Sequence, residues 1–142
     1  MPHHCQALVV QCMDFRFHTA MRDFLLSIGL KDQYDVVSLA GSAKGLAGND
    51  PVETEFLFKQ IALSTKLHAI KEIYLIHHMD CGAYGGHGAF ATLAEERAKQ
   101  TADLEQARQI ITNKFPGLAV NKVLARIEVR DGQNHIDFAV VG

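Results

Sequence analysis

The chain has 142 residues, 48% of them apolar and 21% charged, with a formal net charge of -2. That size and balance fit one globular domain over residues 1–142, large enough for a real core. Without a basic run or stripe, neither nucleic acid nor an anionic membrane is expected as a partner, and no apolar stretch approaches the roughly 20 residues of a bilayer span.

The N-terminus, Met1 to Cys5, lacks the charged-then-apolar order of a secretory signal, so a cytoplasmic protein is expected. Cys5, Cys12 and Cys81 form an odd set at irregular spacing, unlike a disulfide framework. In a reducing compartment such thiols stay free for metal or redox work.

Gln6 to Gln11 reads as a continuously apolar, doubly buried strand. Thr19 to Ser27 follows as a helix with Met21, Phe24, Leu25 and Ile28 on one side, stopped by Gly29. Asp35 to Leu39 is a second strand, leading into the small-residue loop Ala40 to Gly45. Asp50-Pro51-Val52-Glu53 is a helix start, with Asp50 as cap and Glu53 completing a capping-box-like pattern. That helix runs through Phe56, Phe58, Ile61 and Leu67.

Glu72 to His77 is a third strand, followed by a glycine-rich loop and a long helix from about Thr92 to Lys114. Leu93, Ala94, Leu104, Ala107 and Ile111 give this helix an apolar stripe, and Pro116-Gly117 ends it. Val123 to Val129 and His135 to Val141 flank the hairpin signal Asp131-Gly132. Alternating strands and helices predict an α/β domain: a central, mainly parallel sheet flanked by helices, with a C-terminal antiparallel strand. Ligands of such sheets collect at the carboxyl ends of the strands, where strand order reverses.

If the first and third strands are neighbours, two segments fall together at such ends: Cys12-Met13-Asp14-Phe15-Arg16 after the first strand and His78-Met79-Asp80-Cys81-Gly82 after the third. Cys12, His78 and Cys81 offer two sulfurs and one nitrogen, a set that suits Zn2+ and leaves a fourth position open. Thiolates bind zinc deprotonated at neutral pH because the metal lowers their proton affinity. Asp14 and Arg16 stand two apart, on one side of an extended segment. An arginine fork there can hold the carboxylate off the metal by two charge-assisted hydrogen bonds.

Cys-x-Asp-x-Arg followed by His-x-x-Cys-Gly resembles the signature of the β-class carbonic anhydrases. Ala40-Gly41 after the second strand, the run Ile73 to Ala83 and the C-terminal hairpin add to the likeness, which spans nearly the whole chain. The resemblance implies a zinc enzyme that reversibly hydrates carbon dioxide to bicarbonate, with a metal-bound hydroxide as nucleophile. It implies Cys12, His78 and Cys81 as zinc ligands, Asp14 and Arg16 as the catalytic dyad, and a homodimer or higher homo-oligomer. Where the family carries Arg-Asn-Ala-Gly, this chain has Ser38-Leu39-Ala40-Gly41, and where the family carries N-terminal helices it has Met1 to Cys5. The chain is therefore expected to be a short, divergent member. Alternatives are a zinc hydrolase acting on carbon disulfide or carbonyl sulfide, and a zinc-binding protein without turnover. A thiol redox protein is disfavoured because Cys-x-x-Cys is missing.

Bland roles compete at several positions. Cys5 reads as a small core residue, His77 as packed or a proton relay, and His18 and His87 as solvated or as proton-transfer groups. Phe15, Phe17 and Tyr84 line either the pocket or the core. His3-His4-Cys5 reads as a fraying terminus able to pick up metal.

Overall fold

The computed structural model describes residues 3–142, so the part of the N-terminal reading that concerns Met1 and Pro2 lies outside the described residues. Five strands form one sheet in the order β2-β1-β3-β4-β5. They are β1 (Ala7–Gln11), β2 (Tyr34–Ser38), β3 (Glu72–His78), β4 (Ala119–Arg130) and β5 (Gln133–Val140). The first four run parallel, and β5 pairs antiparallel with β4. The helices are α1 (His18–Ser27), α2 (Lys44–Ala47), α3 (Pro51–His68) and α4 (Leu93–Lys114). The predicted α/β architecture stands, with the strand ends within a residue or two for β1, β2 and β3. Among the described residues no helix is long and apolar enough to cross a membrane.

The alternation of side chains along β1 sorts the core into two layers. Leu8 and Val10 join Leu57, Ile61, Leu75, Leu104 and Ile111 beneath α2, α3 and α4. Ala7 and Val9 join Met21, Leu25 and Ile76 beneath α1. A Schellman-type cap ends α1. Gly29, at φ +85°, donates to Leu26 and Leu30 donates to Leu25, at 3.1 and 3.0 Å. At the hairpin, Asp131 and Gly132 both take positive φ, as a two-residue primed turn requires.

Two local readings need correction, the capping box at Glu53 and the apolar stripe at Leu93 and Ala94. Asp50 does cap α3, accepting from the Val52 and Glu53 amides, but Glu53 closes no capping box, because the Asp50 amide donates to the Gly45 carbonyl at 2.8 Å. Phe56 and Leu67 are exposed, and α3 buries Leu57, Ile61 and Ser64 instead. Leu93 and Ala94 are also exposed. The buried stripe of α4 is Glu96, Gln100, Leu104, Ala107 and Ile111, so its first turns bury polar groups.

β1 and β3 are neighbours, and the chain turns to opposite sides after them, so strand order reverses between them. Gln11 lies opposite Ile76. Cys12 thus leaves β1 level with the end of β3, where His78 is the last residue. The conditional placement of both motifs at one crevice holds.

Candidate active site

Cys12, His78 and Cys81 are buried and converge, with one donor atom of each within 4.8 Å of the others. The sulfurs of Cys12 and Cys81 lie 3.9 Å apart. A disulfide would need about 2.05 Å, whereas two thiolates each about 2.3 Å from one tetrahedral ion lie about 3.8 Å apart. His78 donates its Nδ1–H to the Met79 carbonyl at 2.7 Å, which leaves the Nε2 lone pair free. That Nε2 is buried without a hydrogen-bond partner. An unsatisfied buried acceptor costs on the order of 1–3 kcal/mol, and a cation between it and the two sulfurs would relieve that cost. The donor set and its spacing fit zinc.

The two sulfurs act on each other electrostatically, in opposite directions. The hydrogen bond from Cys81 draws the Cys12 thiol far below its ordinary range, with His78 and the Gly41 amide adding to the effect. Sharing with Cys12, together with burial, pushes Cys81 up. The Gly41 amide lies 3.5 Å from the Cys12 sulfur. It can point there because Gly41 sits at φ +79° and a Cβ would stand 2.9 Å from that of Ala83.

Asp14 and Arg16 meet, though not on an extended segment. Residues Phe15–Phe17 form a 3-10 turn whose cap is Asp14, accepting the Arg16 amide at 3.0 Å. The Arg16 guanidinium then grips the same carboxylate through Nε at 3.1 Å and Nη2 at 2.7 Å. These hydrogen bonds hold the Asp14 carboxyl below the usual carboxylate range against the opposing effect of burial. Its Oδ2 stops 3.7 Å from His78 Nε2.

Arg16 is itself held from behind, by residues the sequence reading passed over. Its Nη1 donates to Asp80 Oδ2 at 3.0 Å and its Nη2 to the Asp80 carbonyl at 2.9 Å. Asp80, at φ +57°, turns the chain between His78 and Cys81. Burial alone would raise its carboxyl, but the His87 amide and Arg16 outweigh burial and lower it. The Asp80 amide donates to Glu96 Oε2 at 2.6 Å, and His87 Nδ1 lies 2.5 Å from Glu96 Oε1. Gln100 bridges the two histidines: His77 Nδ1 meets its Oε1 at 2.7 Å, and its Nε2 donates to the His78 carbonyl at 3.0 Å. The one signal for Glu96 and Gln100 was helical phase, stepping back by fours from Leu104.

His77 is packed rather than ligating. Its Nε2 accepts the Ala43 amide at 3.2 Å, and burial lowers its pKa to about 4, so it is neutral. Phe17 belongs to the core and lies against the His78 ring, centroids 4.2 Å apart. Tyr84 donates to Asp103 at 2.7 Å. Phe15, 84% exposed, stands at the mouth of a cavity of ≈ 720 Å³ bordered by Cys12, Asp14, Arg16, Gly41 and Ala83. His18 is exposed, away from these contacts.

The model of the family described as "Putative carbonic anhydrase" matches residues 2–130. The chain belongs to that family. An uncharacterized protein of Rickettsia conorii is 33% identical over 131 residues, covering 89% of this chain and 70% of the relative. One from Rickettsia bellii is 30% identical over 130 residues, covering 89% and 79%. Among solved structures, a carbonic anhydrase from Glaciozyma antarctica aligns with TM-score 0.57 at 18% identity, over 96% of this chain and 83% of that one. A β-carbonic anhydrase of Trichomonas vaginalis aligns with TM-score 0.56 at 13% identity, over 95% and 83%. At those identities the likeness concerns the fold. The expected resemblance is borne out, and this is a divergent member of the carbonic anhydrase family.

Proposed function

We propose that this chain reversibly hydrates carbon dioxide, with zinc held by Cys12, His78 and Cys81 and with Asp14 and Arg16 as its catalytic pair. The observation that carries this reading is the bare, buried Nε2 of His78, set beside two thiols and 3.7 Å from a clamped carboxylate. Zinc bound there would act as a Lewis acid that lowers the pKa of a coordinated water.

The chain's own residues supply the rest. Asp14, ionised and fixed by Arg16, presents a lone pair toward the open side of the site and can accept the proton of a water there. That contact orients the water's remaining lone pair toward the cavity. Arg16 keeps Asp14 from turning onto the ligand set and closing the fourth position. Carbon dioxide needs little anchoring, and the small apolar groups of Ala40, Gly41 and Ala83 border its approach. Partly exposed His87, joined to Arg16 through Asp80, is placed to pass protons onward to buffer.

Stopped-flow carbon dioxide hydration with a pH indicator, on protein whose zinc content has been measured, tests the reading. Turnover well above buffer at full loading supports it. Zinc-loaded protein that turns over carbonyl sulfide and leaves carbon dioxide untouched would refute it.

A further inference from the structure

The first strand has a thiol at either end: Cys12 just after β1, and Cys5 just before it. About seven residues of extended chain separate them, on the order of 23 Å, so Cys5 takes no part in the site described above. Its thiol nevertheless has company. Cys5, Asp35 and His68 bring one donor atom each within 4.8 Å of one another. They come from three places, the run before β1, the start of β2 and the end of α3.

The assembly is braced. Cys5 donates its amide to the His68 carbonyl at 3.0 Å, which ties the N-terminal run to the end of α3. The Ser64 hydroxyl donates to Asp35 Oδ2 at 2.6 Å, and His68 Nδ1 meets the same oxygen at 2.6 Å. A hydroxyl fixed on a carboxylate is the kind of support that orients metal ligands. The ring of His3 lies against that of His68, centroids 5.1 Å apart and planes tilted by 47°. The three side chains are half-buried, so an ion can enter.

We propose that Cys5, Asp35 and His68 form a second, three-ligand site that binds zinc or a similar borderline divalent cation. Bound there, the ion would fasten the N-terminal run across β2 and α3. On loading, Cys5 would lose its thiol proton to solvent and His68 would carry its ring proton on Nε2, so that the Asp35–His68 contact opens from a hydrogen bond to the wider spacing of two ligands on one ion. Nothing here depends on the site at Cys12.

Zinc titration of the apo full-length chain, with stoichiometry read by metal analysis after gel filtration, tests it together with Cys5→Ser and His68→Ala. Two equivalents in the parent and one in each variant, with carbon dioxide hydration unchanged, is the expected result. One equivalent in the parent and none in Cys5→Ser would support this site and remove the one at Cys12. Equal stoichiometry in the parent and Cys5→Ser overturns the proposal. Cobalt loading of the Cys12→Ser/Cys81→Ser variant gives a second reading. A thiolate-to-cobalt charge-transfer band there can come only from Cys5, and its absence from folded, cobalt-exposed protein also overturns the proposal.

Discussion

Glu96 and Asp80 are joined by a 2.6 Å hydrogen bond from the Asp80 amide to the Glu96 carboxyl group, deep under the turn that carries His78 and Cys81. Glu96 is completely buried on α4, so this helix reaches through the core to fix the metal-site turn. From Asp80 the connection passes to Arg16 and then to Asp14. Four side chains from three separate segments thus set where one carboxylate oxygen stops.

Glu96→Leu keeps the bulk and removes both acceptors, the one on the Asp80 amide and the one on His87. Leaving a buried polar group unpaired costs about 1–3 kcal/mol. The variant is expected to melt several degrees lower and to bind zinc more weakly, as thermal denaturation and zinc titration would show. Unchanged values in both would show that α4 does not support the site.

Arg16→Ala removes the fork from Asp14. The three proposed zinc ligands stay, so metal content should hold while the carboxylate becomes free to swing onto the site. A drop in kcat/KM for carbon dioxide of about 10²-fold is expected, the scale of a positioned proton acceptor. Arg16→Lys should recover little, since an ammonium cannot reproduce the two-pronged grip. Parent-like activity in Arg16→Ala would eliminate the clamp.

Gly41→Ala tests the approach of the backbone to the Cys12 sulfur. An added Cβ would sit 2.9 Å from that of Ala83, at a φ of +79°. Strain of about 1–3 kcal/mol is expected, together with displacement of the amide from the sulfur. Lower stability and weaker zinc retention against a chelator should appear together; a loss of neither would show that the loop yields freely.

An acid limb of stability should come from the middle of α4. The Glu105 carboxyl accepts from Arg108 and from the largely buried Lys122, and these bonds lower its pKa from 4.5 to about 2. With the folded value depressed, its contribution is complete above pH 4.5 and fades as pH falls toward 2. The side chain is 35% exposed, so salt should weaken the effect. Melting temperatures of Glu105→Gln should fall less steeply than the parent's over that window; parallel curves would contradict the assignment.

Much of the fold was legible because its signals are local. The apolar run at β1, the Asp50-Pro51 start, the Gly29 stop and the Asp131-Gly132 turn each depend on a few adjacent residues. The site was legible as far as its motifs reach, since ligand chemistry dictates residue type at Cys12, His78 and Cys81. What stayed hidden depends on contacts distant in sequence. Glu96 and Gln100 look like surface residues of a charged helix until β3 lies beneath them. Phe56 and Leu67 look like core because they are apolar, yet α3 buries another face. The partnership of Cys5 with Asp35 and His68 exists only once β1, β2 and the end of α3 are side by side.

The central claim, an open zinc site at Cys12, His78 and Cys81 that hydrates carbon dioxide, is tested most directly by adding zinc stepwise to apo protein. Metal content and stopped-flow carbon dioxide hydration would be measured on the same samples. The rate should rise with zinc to a plateau, reached at one equivalent in Cys5→Ser and by two equivalents in the parent, and stay at buffer level in Cys81→Ser. A parent protein carrying its full zinc and hydrating carbon dioxide no faster than buffer would contradict the account.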